Sequence, residues 1–150
     1  MIYISLIVIA LFTSQYGSAK GEKYEFTNVN YVRNYDADTI TFNIKGAHPL
    51  FGKNIPIRLN GIDTPELRTK DRCEKKLSYE AKGFVESQLK TAKSINLKNA
   101  SRGKYFRIVA DIYYDGKNLK NELMKRKYGY EYDGGTKEKI DWCKYDKIAH

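Results

Sequence analysis

Four carboxylates and one guanidinium define the chemistry open to this chain. Asp36 and Asp38 stand just before an alternating run at residues 39–44, and Asp63 and Glu66 close a second run at residues 57–66, Ile-Arg-Leu-Asn-Gly-Ile-Asp-Thr-Pro-Glu. Two strand ends thus carry four acids. In a chain of formal charge +9, clustered acids repel one another unless something positive sits among them. Oxygen-only donors suit a hard divalent cation such as Ca²⁺ or Mg²⁺. Asp at a strand end is also ordinary turn chemistry; Arg58, five residues before Asp63, weakens that simpler account.

The positioning elements follow from periodicity. Ile55, Ile57 and Leu59 alternate with Pro56, Arg58 and Asn60, the period of a half-buried strand, so Arg58 should project from the face opposite the apolar residues. Gly61 and Pro65 bend and end that strand, and Pro65, with its fixed φ, limits the freedom of Asp63 and Glu66. Residues 24–35 read as a strand or bent strand pair, 39–44 as a second strand and 55–62 as the third. Residues 45–54, with Gly46, Pro49 and Gly52, read as a loop in which His48 is solvated. Apolar positions from Leu77 to Ala92 recur at helical spacing and predict an amphipathic helix over 74–92 that packs on the sheet.

Residues 94–98 and 105–114 read as a strand pair joined at Ser101-Arg102-Gly103, with Arg107 opposite the core set. Asp115-Gly116 leads into a short helix over 118–127. The tail from Tyr128 is rich in Tyr, Gly and Lys; its tyrosines either stack on nucleobases or pack on the sheet, and Trp142 reads as a core plug beside Cys143.

Asp-x-Asp-Thr, then Arg-Leu-x-Gly-Ile-Asp-Thr-Pro-Glu, then Lys-Tyr-x-Arg resembles the staphylococcal nuclease (thermonuclease) family over about residues 32–124. The resemblance implies an α+β, mainly β fold: a five-stranded OB-type barrel with two to three packed helices. It also implies a Ca²⁺-dependent nuclease that hydrolyses DNA and/or RNA and leaves 3′-phosphate ends. Position by position, Asp38 and Asp63 would be Ca²⁺ ligands, Thr64 a ligand through its carbonyl, and Asp36 an outer acidic neighbour. Glu66 matches the general base, Arg58 and Arg107 the phosphate-binding arginines, and Lys104 and Tyr105 the residues that hold a terminal phosphate. The chain departs from the family pattern at Ala37, where the family has Gly, and at Gly103 and Phe106. The other reading is a non-catalytic OB-fold module that binds nucleic acid as a scaffold.

Length bounds the rest. One domain, 20–150, follows a stretch, 1–19, with no charged side chain and an apolar run of signal-peptide length, which predicts export to a secreted or periplasmic location; an uncleaved anchor is the alternative. After signal removal no stable membrane association is expected, and nothing in the chain calls for a partner beyond nucleic acid, so a monomer is expected. The excess positive charge favours polyanions. Cys73 and Cys143 are too few and too far apart for a zinc site. In an oxidising compartment they would form a disulfide; in a cytosol they would stay free thiols.

Overall fold

The computed structural model describes residues 23–149; the leader expected at 1–19 lies outside them. Nine short strands and four helices make up the described part. The strands are β1 (Tyr24–Phe26), β2 (Asn30–Asn34), β3 (Thr39–Asn43), β4 (Ile55–Leu59), β5 (Ile62–Asp63), β6 (Ile95–Arg102), β7 (Ile108–Tyr114), β8 (Lys117–Asn118) and β9 (Tyr130–Glu131). The helices are α1 (Pro49–Gly52), α2 (Arg72–Thr91), α3 (Leu119–Lys125) and α4 (Trp142–Ala149). No described helix is long and apolar enough to cross a membrane.

Six strands pair in the order β1-β6-β7-β4-β3-β2, β8 adds to β7, and β5 with β9 forms a separate two-stranded ladder. The chain is therefore α+β and mainly sheet, as expected, but among the described residues the ladder runs as an open path where a closed five-stranded barrel was expected. Among the described strands only β4 and β7 pair in parallel; their neighbours pair antiparallel. One backbone bond from the Val29 amide to the Ile95 carbonyl, 2.9 Å, links the β1–β2 bend to β6.

Two expected strands are broken, each for a local reason. Residues 55–62 do not run as one strand: Gly61, at φ +73°, turns the chain after Leu59, and Ile62 and Asp63 start the β5 ladder. The strand expected from Tyr105 begins only at Ile108, because Lys104–Phe106 form one turn of 3₁₀ helix, with Tyr105 and Phe106 both at φ 58°. Left-handed backbone at two successive aromatic residues cannot continue a strand. The expected loop at 45–54 contains α1, capped by His48, whose Nδ1 accepts from the Leu50 amide.

The core lies between the sheet and α2. Ile40, Phe42, Ile57, Leu59, Leu97, Ala110 and Ile112 from the sheet are buried against Ala81, Val85 and Leu89 of α2 and Leu119 and Leu123 of α3. Each fully buried Leu, Ile or Val contributes about 1.5–3 kcal/mol. A second cluster joins Leu77, Tyr130 and Trp142, so Trp142 does plug a core and Tyr130 packs inside.

A disulfide joins Cys73, at the start of α2, to Cys143 in α4 across 70 residues. In the chain-entropy account, closing so long a loop stabilises by about 4 kcal/mol. Replacing both cysteines by Ser should lower the unfolding free energy by about that amount, measured by urea titration. Addition of reductant should then leave the double variant unchanged.

Candidate active site

Strand pairing places the first carboxylate beside the guanidinium. Thr39 is the cross-strand partner of Arg58, and the Leu59 amide bonds the Asp38 carbonyl at 2.7 Å, so Asp38 enters β3 alongside Arg58. Asp36 fixes this entry: its Oδ1 accepts from the amides of Asp38, 3.1 Å, and Thr39, 2.7 Å, an Asx turn. Ala37 is buried, and its φ is not positive, so the methyl in place of the family's glycine brings no backbone strain.

Asp38 is 1 % exposed. Its Oδ1 accepts from Arg58 Nη1 and from Thr39 Oγ1, 3.2 Å, and its Oδ2 from the Thr64 amide, 3.2 Å, and hydroxyl, 3.0 Å. Burial, then the nearby Asp36, pushes its pKa up to about 7, with Arg58 pulling the other way. Arg58 Nη2 donates to Asp63 Oδ1 at 2.8 Å and to the Ile62 carbonyl at 3.3 Å. Burial works to lower the Arg58 pKa, but Asp38 and Asp63 outweigh it and hold it raised. Arg58 lies on the cleft side while Ile57 and Leu59 enter the core, and its side chain is only 19 % exposed because both guanidinium nitrogens are paired.

Asp63 is held by the β5–β9 ladder, in which it pairs with Tyr130. The Tyr130 hydroxyl donates to Asp63 Oδ2 at 3.1 Å, and burial, then the charge of Asp63, pushes that phenol up to about 12. The β9 approach is close: a Cβ on Gly129 would lie 2.7 Å from the Asp63 carbonyl, so only glycine fits there.

Glu66 is exposed and positioned by α2. Asp71 caps that helix by accepting from the Glu74 amide at 2.8 Å. In a capping box the Glu74 side chain would reach back to the Asp71 amide; here its Oε1 accepts from the Glu66 amide, 3.1 Å.

One residue that sequence reasoning did not single out belongs to this group. Lys137 Nζ lies 3.1 Å from Asp63 Oδ2 and 2.9 Å from Glu66 Oε1. Burial works to lower its pKa, but the hydrogen bonds to Glu66 and Asp63 prevail and raise it. It sits in a polar, Gly-containing run with no periodicity, one of 27 basic residues, so only tertiary closure reveals it.

Of these groups Asp36, Arg58, Glu66 and Lys137 border a cleft of about 840 Å³, also lined by Lys104, Tyr105, Arg107 and Tyr132, while Asp38 and Asp63 are buried and joined to it through Arg58. Lys104 donates to the Gly134 carbonyl at 3.1 Å, and Tyr105 is 91 % exposed. Arg107 follows the 3₁₀ turn, not a strand, and is exposed on the cleft wall. Of the tail tyrosines, Tyr128 packs on Phe84, Tyr130 is buried, Tyr145 packs on Trp142, and Tyr132 reaches the cleft.

The donor set fits a hard divalent cation. Asp36, Asp38, Asp63 and Glu66, linked through Arg58, Lys137 and the Asp38 amide, carry an excess of two negative charges over those two cations when all are ionised. By contrast Asp71, Cys73 and Cys143 also lie close together, but the two sulfurs are bonded to each other and provide no thiolate.

A cleft lined by both acids and cations thus lies beside the parallel pair β4 and β7 of a mixed sheet. Residues 56–147 match the family described as staphylococcal nuclease homologue, and the chain belongs to that family. It is 27% identical over 113 residues to the probable endonuclease LCL3 of Podospora anserina. That match covers 67% of this chain and 40% of the relative, so the chain spans well under half the relative's length.

Proposed function

We propose that the chain is a Ca²⁺-dependent nuclease that hydrolyses phosphodiester bonds of DNA and/or RNA and leaves 3′-phosphate ends. The observation that carries this reading is that Arg58 joins the buried Asp38 and Asp63, and Lys137 joins Asp63 to Glu66, beside one cleft of a basic chain, supported by family membership. Asp38, Asp63 and the Thr64 carbonyl hold the ion, with Asp36 outside them. When bound, Ca²⁺ supplies Lewis acidity toward a phosphoryl oxygen. Glu66, at the mouth, takes a proton from the attacking water. Arg58 gives three donors to Asp38, Asp63 and Ile62, and its remaining donors, with the exposed Arg107, balance charge on the phosphoryl oxygens. The bond from phosphorus to the 5′ oxygen breaks, and Lys104 with Tyr105 holds a terminal phosphate.

The disulfide favours an oxidising destination, so residues 1–19 are proposed as a signal for export. DNA and RNA zymograms of the purified chain, run with Ca²⁺ and with chelator, test the activity. Clearing with Ca²⁺ and none with chelator is expected. Oligonucleotide binding without cleavage in Ca²⁺ would instead establish the scaffold reading.

A further inference from the structure

A half-exposed lysine ordinarily keeps its ammonium in water, because holding it against one carboxylate gains little over the entropy lost. Lys137 is 47 % exposed, yet its Nζ bridges Asp63 and Glu66. Its segment, residues 135–139, is otherwise exposed, so this bridge and the bond from the Tyr132 hydroxyl to the Gly135 carbonyl, 2.8 Å, are what tie it to the site.

The acceptor count at Asp63 makes the bridge consequential. A carboxylate has about four lone-pair positions. Arg58 takes Oδ1, while Tyr130 and Lys137 both donate to Oδ2. A cation that binds Oδ2 must displace one of those two donors. Tyr130 is 6 % exposed, paired in β9 and packed against Trp142 with ring centroids 6.1 Å apart. Lys137, on an exposed segment, is the donor free to leave.

We propose that Lys137 is a positioning residue of the metal site: its ammonium is a resident counter-ion that competes with a divalent cation for Asp63 and Glu66 and so sets the affinity of the site. This rests on the metal reading proposed above. It assigns Lys137 an effect opposite in sign to that of a residue which helps to bind the ion. Removing the ammonium leaves Glu66 without an ion pair and Asp63 with Arg58 as its one cation, and their attraction for Ca²⁺ rises accordingly.

The test uses the chain's own reporter. Trp142 is the only tryptophan and stands one side chain away from Asp63, through Tyr130. Its fluorescence, together with calorimetry, reads Ca²⁺ binding without substrate. Lys137→Met should tighten the Ca²⁺ Kd by roughly five- to tenfold. Lys137→Arg, which keeps the charge, should stay within about twofold of the parent. Lys125→Met, an exposed charge loss on α3, should likewise change Kd less than about twofold. Thermal unfolding of each variant in chelator confirms that the fold is retained, and Lys137→Gln replaces Lys137→Met if the latter misfolds. An unchanged or weaker Kd in Lys137→Met, beside a parent that binds Ca²⁺, overturns this proposal alone. If neither parent nor variant takes up Ca²⁺, the metal reading fails with it.

Discussion

Glu66→Gln is expected to lower phosphodiester hydrolysis by about 10²- to 10⁴-fold, the usual worth of a positioned general base, while oligonucleotide binding in Ca²⁺ persists. The substitution keeps the side-chain shape and removes only the charge that accepts the proton. Glu66 is exposed and its one ion pair, with Lys137, is half in water, so thermal unfolding should be unchanged within about 1 kcal/mol. The backbone position of Glu66 depends on its amide and Glu74, which the variant keeps. A single-turnover rate within a few-fold of the parent, with the fold intact, would remove Glu66 from the chemistry.

Arg58→Met should have the largest effect on stability. Arg58 joins two carboxylates that are 2 % and 6 % exposed, and removing one partner of a buried ion pair costs about 3–5 kcal/mol because the other charge is left without compensation. The loss has a predictable pH dependence. Burial and then Asp36 push the Asp38 carboxyl up from its ordinary 3.8 to about 7, against the pull of Arg58; without Arg58 it must rise further. A carboxyl with a raised folded pKa leaves stability intact below its unfolded value and subtracts from it as pH rises from there through the folded value. In chelator, the deficit of Arg58→Met by urea titration should therefore be smaller at pH 5 than at pH 8. A deficit that is equal at both, or larger at pH 5, would show that Arg58 is not what keeps Asp38 ionised.

Much of this was legible in the residues. Alternation at Ile55–Leu59 and the helical stripe from Leu77 to Leu89 specify the sheet and α2, because burial on one face imposes a period that a linear reading detects. The acid pairs and Arg58 were visible because their spacing from strand ends survives folding. What stayed hidden depends on tertiary closure or on unusual backbone. The left-handed pair Tyr105 and Phe106 lies in a stretch that alternates like a strand, and nothing in two aromatic side chains announces φ 58°. The short ladder between β5 and β9 is two residues a side, too brief for any period, yet it brings Tyr130 to Asp63. Lys137 reaches Glu66 across 71 residues, a distance at which sequence spacing carries no signal.

The bond between Cys73 and Cys143 bears on how the chain finds this arrangement at all. Tyr130 and Asp63 are 67 residues apart along the backbone, but Asp63 lies ten residues before Cys73 and Tyr130 thirteen before Cys143. Through the sulfur bridge the covalent path shortens to about a third. The closure cost of that contact falls by about 1 kcal/mol, since loop entropy grows as the logarithm of length. Lys137 and Glu66 stand still nearer the two cysteines and gain more. The contacts that complete the acidic cluster thus become near-local once the chain is oxidised, and the search for them should be faster in that state than in the reduced one.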